Sequence, residues 1–351
     1  MYVSYSLGGG GAERLLTNII LQQDEPTRSQ VVTLRPGGVF RKVLEDAGVE
    51  VVDLGMTHYL HAVGGMFRLA RLIRKHQPEI VHAWDYFANL LVVPACSLAG
   101  SHAKIFWGEF GTDLGTQKLH LGFRAVVRMN AWLSPRVDGV AYNGVEVRDY
   151  HHRIGFREPR SVVISNQIDA DAFRHDAQER EAFRAELGVK PDDVVVAVVA
   201  RVDPQKDWPT VLEAVRGLPG IVLVAVGNGT DLLPPQPGFI ALGWRDDVAR
   251  VLSAADIFLL GSAYGEGTPL AVGEAMLCGL PCVVTDVGGS RALVGNSGIV
   301  VKPGDPAAIR EAILALARDP ERRRVLGQLA RAQATKAATR DGAIERLHAL
   351  N

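Results

Sequence analysis

The strongest constraint on the fold is a rhythm in the sequence. Short β-branched runs alternate with amphipathic stretches, and the alternation runs to about residue 164 and then starts again. In its first pass the sequence predicts strands near Tyr2–Ser6, Gln30–Leu34, Ile80–Ala83, Lys104–Trp107, Gly139–Tyr142 and Val162–Ile164. Helical patterns such as Ala12–Leu21, Phe67–Lys75 and Phe123–Trp132 lie between them. The second pass opens on Val194–Ala200, an unbroken apolar run of the kind a strand needs when both of its faces are covered. Ile221–Val226, Phe239–Leu242, Ile257–Leu260 and Pro281–Thr285 follow. Strands separated by helices argue parallel sheets with helices on both sides. A length of 351 residues suits two domains. The expected fold is therefore α/β, with two doubly wound Rossmann-like domains facing each other across a cleft. The expected divisions are 1–165, 166–325 and a C-terminal helix at 326–351 packing back toward the first domain. The charged segment Asp169–Asp193 reads as the separator. Ligands of such sheets bind at the carboxyl ends of the strands, so chemistry is expected in strand-to-helix loops.

Composition narrows the class. A hydrophobic fraction of 47% with 22% charged residues excludes a disordered chain. A net charge of -1 gives no broad attraction to phosphate backbones, which argues against a nucleic-acid partner. That charge is unevenly spread. Residues 1–165 carry 18 basic and 15 acidic residues and eight of the ten histidines, leaving 20 basic and 24 acidic for the rest. The two domains thus suit different ligands, and Arg68–Lys75 and Arg124–Arg136 are places where the first could touch an anionic membrane surface. The longest largely apolar stretch, Ala88 to Gly100, is 13 residues and contains Pro94, short of the roughly 20 a spanning helix needs. The N-terminus lacks the regions of a signal peptide. Cys96, Cys278 and Cys282 form no disulfide or zinc pattern, which fits a reducing cytoplasm.

Three loops carry candidate chemistry. Ser6-Leu-Gly-Gly-Gly-Gly-Ala-Glu-Arg14 follows the first strand and opens a helix. Its glycines, Gly9 and Gly10 among them, allow positive φ and close approach of an anion to helix N–H groups. Arg201-Val-Asp-Pro-Gln-Lys206 follows the buried strand, and its two cations can converge on a diphosphate. Gly261-Ser-Ala-Tyr-Gly-Glu266-Gly-Thr-Pro-Leu270 follows Ile257–Leu260, with Thr268 as the expected N-cap and Pro269 as the first residue of a short helix to about Cys278. Glu266 and Glu274 then flank a helix end that favours anions, so hydroxyl-rich rings beside a diphosphate would explain both carboxylates and cations.

Those residues resemble a known family. The element Glu266…Glu274, in the context EGTPLAVGEAM, is similar to that of retaining glycosyltransferases of the GT-B fold, glycosyltransferase family 4. SLGGGGAER, ISNQID (Ile164–Asp169), RVDPQKD, VGNGTDL (Val226–Leu232), LGWRDDV and TDVGG agree in order and spacing. Two departures stand out: Gln167 replaces the usual Gly, and Thr230 stands where Pro is common.

The resemblance implies retaining, metal-independent transfer of a hexosyl group from a UDP or GDP sugar, with no cofactor beyond the donor itself. Arg201 and Lys206 would neutralise the diphosphate, Glu266 would contact the donor sugar and Glu274 the ribose. The backbone of the segment Gly267, Thr268, Pro269 and Leu270 would hold the sugar and phosphate, Pro269 itself having no N–H to donate. Gly243, Trp244 and Arg245 would lie near the base, and Gly9 and Gly10 would approach the phosphate. The acceptor implied is a glycan or lipid-linked glycan of lipopolysaccharide or polysaccharide biosynthesis, handled in the cytoplasm or on the inner face of the plasma membrane. Where relatives carry a His segment this chain has Trp107-Gly-Glu-Phe-Gly-Thr-Asp113, so Glu109 and Asp113 become the candidates for contact with the acceptor or the donor sugar, with His82 and His120 further off. That unusual segment also motivates the alternative of a sugar-nucleotide epimerase or a non-catalytic binding protein of the same fold.

Overall fold

The computed structural model describes the chain apart from residues 59–60, 113–120, 165, 167, 340–345 and 348–351. It divides into two compact units, Met1–Gln167 with Gly342–Asn351, and Ile168–Asp341.

In the first unit seven strands form one sheet: β1 (Tyr2–Ser4), β2 (Gln30–Thr33), β3 (Glu50–Asp53), β4 (Ile80–Ala83), β5 (Lys104–Glu109), β6 (Gly139–Tyr142) and β7 (Ser161–Val163), in the order β3-β2-β1-β4-β5-β6-β7. Six form the second: β8 (Val194–Val199), β9 (Ile221–Val226), β10 (Phe239–Ala241), β11 (Ile257–Leu260), β12 (Cys282–Thr285) and β13 (Gly298–Val301), in the order β10-β9-β8-β11-β12-β13. Every pairing is parallel.

Alternate side chains of each central strand enter opposite helix layers, which is why the runs are apolar throughout. Phe106 packs with Leu15, Leu16, Ile19 and Ile20 of the helix Gly11–Leu21. Its neighbour Trp107 packs on the other face with Leu69 and Ile73 of the helix Ala62–His76 and Leu91 and Val92 of Tyr86–Ala99. In β8, Val195 and Ala197 face one layer while Val196 and Val198 face the other. Each such side chain contributes about 1.5–3 kcal/mol relative to exposure.

The structure corrects several expectations. β3 and β13 were not anticipated; both are edge strands without a single fully buried residue. The charged segment is no separator. It holds the helix Ala177–Glu186, whose Phe183 is fully buried and whose Arg180 and Arg184 grip Asp256 at 2.7 and 3.1 Å. The C-terminal helix starts earlier than residue 326 and runs Pro320–Thr339 within the second unit, where Arg331 donates to the Leu277 carbonyl at 2.8 Å. Leu347 is buried in the first unit's core. No helix among the described residues is long and apolar enough to cross a membrane. The three cysteines are buried, which pushes the Cys96 thiol up to about 11 and that of Cys278 to about 12.

Each sheet has one point where the chain reverses its direction of travel, between β1 and β4 and between β8 and β11. Loops leaving such neighbouring strands run to opposite faces and open a crevice at the carboxyl ends.

Candidate active site

In the second unit the two loops at that reversal carry the residues singled out by the sequence. β8 ends at Val199, and Trp208, buried at the start of the helix Trp208–Val215, holds the departing chain by donating its indole N–H to the Arg201 carbonyl at 3.0 Å. Asp203 caps the following turn, Pro204–Lys206, by accepting from the Gln205 amide at 2.9 Å. This local chemistry presents Arg201 and Lys206 in different settings. Arg201 is exposed and lies 3.3 Å from Asp203. The Lys206 side chain is 14% exposed and pairs with Glu266 Oε1 at 2.5 Å.

The loop after β11 supplies that carboxylate. Ser262 is fully buried, and its hydroxyl donates to Glu266 Oε1 at 2.5 Å. Thr285, at the end of β12, donates to the Ser262 carbonyl at 2.6 Å and so holds Ser262 in place. The Ala263 amide donates to the Gln205 carbonyl at 2.8 Å, tying the acidic loop to the cationic one. Glu266 is 6% exposed and Glu274 2%. The helix runs Leu270–Leu277 with Pro269, in place of Thr268, at its cap position, one residue later than expected. Val272, Ala275 and Met276 are fully buried, so the helix is fixed by its sides, while its first amides lack intrahelical acceptors and carry the positive end of its dipole. Gly267 is held by its carbonyl, which accepts from the Gly289 amide at 2.9 Å.

A third loop joins them. Gly227, with φ at +140°, follows β9; a Cβ there would collide with the Ala200 carbonyl, so only glycine allows the loops after β8 and β9 to approach so closely. The Gly227 amide donates to the Gly243 carbonyl at 2.8 Å, and the Gly243 amide donates to the Thr230 hydroxyl at 3.0 Å. Thr230, fully buried, therefore staples two loops with its side chain where a proline would have offered only shape. Trp244 is half exposed. Arg245 forks onto Asp247 at 2.6 and 2.5 Å, and that pairing holds the Asp247 carboxyl below the usual carboxylate range. Asp247 starts the helix Val248–Ala254 without capping it through its side chain.

The first-unit candidates fare differently. Gly10 caps the helix Gly11–Leu21 with φ at −87°, and no glycine from 8 to 11 has a positive φ. A Cβ on Gly10 would run into the Glu13 carboxylate, so that side chain stands over the backbone where a phosphate was expected. Glu109 ends β5 but is 2% exposed and points inward. It accepts from Asn89 at 2.8 Å and lies 3.4 Å from His151, whose Nε2 is 2.6 Å from the Tyr86 hydroxyl. Burial raises its pKa. His82 is buried among Tyr2, Trp84 and Phe106, and burial drives its pKa down to about 3. Asp113, His120 and Gln167 lie outside the described residues.

Sequence reasoning passed over Ser262, Thr285 and Gln205, and met Thr230 only as a departure from the family pattern. The spacing of Ser262 four residues before Glu266 was a usable signal; the Thr285 and Thr230 contacts join distant segments and left none.

Comparison with known proteins bears on the family and the fold. Residues 9–172 match the family described as Glycosyltransferase Family 4, and residues 179–333 match that described as Glycosyl transferases group 1. The chain is 31% identical over 263 residues to the UDP-Gal:alpha-D-GlcNAc-diphosphoundecaprenol alpha-1,3-galactosyltransferase of Escherichia coli, an alignment covering 68% of this chain and 66% of that enzyme. The chain thus spans just under two thirds of that relative's length. It is 25% identical over 322 residues to the lipopolysaccharide core biosynthesis glycosyltransferase LpsD of Rhizobium meliloti, covering 89% of this chain and 86% of the other. Among solved structures, HepE of Anabaena in complex with UDP-glucose superposes with a TM-score of 0.84 at 20% identity, over 100% of this chain and 98% of that one, which shows a shared fold.

Proposed function

Because the chain belongs to glycosyltransferase family 4, we propose that it transfers a hexosyl group, with retention and without a metal, from a nucleotide-diphosphate sugar to an acceptor hydroxyl in cell-surface polysaccharide or glycolipid biosynthesis. One observation carries this most: Arg201, Lys206, Glu266 and Glu274 come from two loops and one helix that meet at the reversal point of the second sheet.

The residues divide the work by their chemistry. Arg201 and Lys206 neutralise the charge that develops on the leaving diphosphate, the task a preorganised cation performs with least reorganisation. Lys206 has three donors, so it holds Glu266 and still reaches a phosphate oxygen. Glu266, oriented by Ser262, accepts from hydroxyls of the donor sugar, and Glu274 from those of the ribose. The N–H groups of Gly267, Thr268 and Leu270 add the dipole of the helix end. Gly243 and the face of Trp244 lie beside the base, with Arg245 directed by Asp247. A departing phosphate oxygen takes the acceptor's proton on the same face of the sugar. The UDP-Gal in the name of the E. coli relative and the UDP-glucose bound to HepE support a UDP-hexose donor. The diphosphoundecaprenol and lipopolysaccharide in the relatives' names support a glycan or lipid-linked acceptor reached from the cytoplasm. Peripheral contact with the membrane is supported by the helix Leu121–Leu133, which exposes Leu121, Met129 and Trp132 beside Arg124 and Arg128.

The test is incubation with a panel of nucleotide sugars in EDTA, with and without liposomes of anionic lipid. Release of nucleoside diphosphate with transfer or slow hydrolysis, and salt-sensitive sedimentation with the liposomes, are expected. No turnover of any donor in chelator would sink the metal-free transferase.

A further inference from the structure

If Glu109 points inward, the acceptor must be recognised elsewhere on the first unit, and one depression there has the chemistry. It holds about 440 Å³ at the carboxyl ends of β1 and β2 and is lined by Tyr5, Ser6, Gly8, Arg35, Gly38 and Thr57, among others. Its floor is built by close backbone contact. The Arg35 amide donates to the Tyr5 carbonyl at 2.9 Å and the Phe40 amide to that of Leu7 at 3.1 Å. Gly38 has φ at +109°, and a Cβ there would strike the Leu7 carbonyl, so the two loops meet only because this residue is glycine.

Arg35 is the charged group of this depression. Its Nη2 donates to the Thr57 carbonyl at 3.0 Å, and its guanidinium carbon stands 5.5 Å from the centre of the Tyr5 ring. The Tyr5 ring is braced from another side by Phe87 at 5.4 Å. A guanidinium offers five N–H donors, and these contacts orient it while engaging one. No carboxylate among the described residues pairs with it, whereas nearby Arg41 is held by Asp53 and Glu45. Asp85 directs its oxygens to the amides of Tyr5, Phe87 and Ala88, and Glu13 leans over Gly10 and does not line the depression. An oriented cation beside an aromatic wall and hydroxyls, at a sheet's carboxyl edge, is suited to a ring bearing both hydroxyls and an anion.

We propose that this depression is an acceptor subsite for a sugar or polyol carrying a phosphate group, with Arg35 on the phosphate and Tyr5, Ser6 and Thr57 against the ring. The acceptor role rests on the transferase reading. The monoester of a soluble sugar phosphate and the diphosphate of a lipid-linked glycan both present phosphate oxygens to Arg35.

Ligand-observed NMR titration tests this on the full chain saturated with UDP, which fills the second unit's site. The probes are N-acetylglucosamine 1-phosphate, the neutral methyl N-acetylglucosaminide, and a short-chain prenyl diphospho-N-acetylglucosamine. The phosphate form is expected to bind at least tenfold more tightly than the neutral one. Arg35→Ala should bring the two within about twofold, and Tyr5→Ala should weaken both about tenfold. Both residues are exposed, so the fold survives their loss. Tighter binding of the prenyl diphosphate than of the monoester assigns the lipid-linked source, and the reverse assigns the soluble one. Equal binding of charged and neutral forms, indifference to Arg35→Ala, or no binding at millimolar probe while UDP still binds would overturn the subsite. Absence of UDP binding strikes the transferase reading itself, and the acceptor role with it.

Discussion

The two units use the same sheet topology and the same kind of reversal point, yet they treat their titratable groups in opposite ways. In the second unit the loops after β8 and β11 bring Lys206 against Glu266, while Arg201 stays exposed beside Asp203. In the first unit the polar residues at the ends of β4 and β5 turn inward. His82 is locked among aromatic rings, Asp85 caps the helix Tyr86–Ala99, and Glu109 joins Asn89 and His151. Identical topology thus produces a charged site in one case and a buried polar network in the other. What differs is local: an Asp203-capped turn and a serine-held glutamate present charge, whereas a carboxylate ending a strand whose last four residues are buried is drawn into the interior.

That contrast can be broken most severely at Glu266. Glu266→Ala is expected to lower transfer by roughly 100-fold or more, as loss of a preorganised transition-state contact does. Thermal unfolding should remain cooperative, because Lys206 keeps some access to water. A variant with full activity would remove Glu266 from the site. The mirror experiment is Glu109→Ala, which strands the Asn89 amide and the His151–Tyr86 pair in a dry interior. A cost of about 1–3 kcal/mol is expected, read as a fall in Tm of several degrees, with UDP affinity unchanged. A Tm equal to the parent's would mean the network is not structural.

A subtler test uses His82. Its folded-state pKa lies near 3 against about 6.5 in the unfolded chain, so below pH 6.5 the unfolded state takes up a proton that the folded state refuses. Stability that is full above pH 6.5 is therefore lost as pH falls toward 3, at up to about 1.4 kcal/mol per pH unit from this group. Chemical denaturation between pH 6.5 and 4.5 should show a shallower slope for His82→Gln, by about one proton. An unchanged slope would place the proton uptake elsewhere.

How much was legible in advance follows the same divide. The central strands could be read because burial on both faces demands the unbroken run seen in Val194–Val199. The edge strands β3 and β13 were missed: in β3 Glu50 and Asp53 flank only two valines, whereas the run Ile299–Val301 of β13 was as legible as those of the equally exposed edges β7 and β10, which were anticipated. Arg201, Lys206, Glu266 and Glu274 could be singled out because loop position and spacing restrict what such charges can do. Glu109 looked equally eligible at a strand end, but whether it points out or in depends on Asn89 and His151, 20 and 42 positions away. The glycine loop was recognised by composition, while its φ values are ordinary and Glu13 fills the space above it, a contact between side chain and backbone that composition does not encode.

The most direct test of the second unit as the donor site is calorimetric titration of the parent chain and Lys206→Ala with UDP in EDTA. Loss of one charge-assisted contact to a diphosphate is worth about 1.5–3 kcal/mol, so affinity should fall at least tenfold. Equal affinity in the two proteins would place the diphosphate away from Lys206 and contradict the assignment of the site.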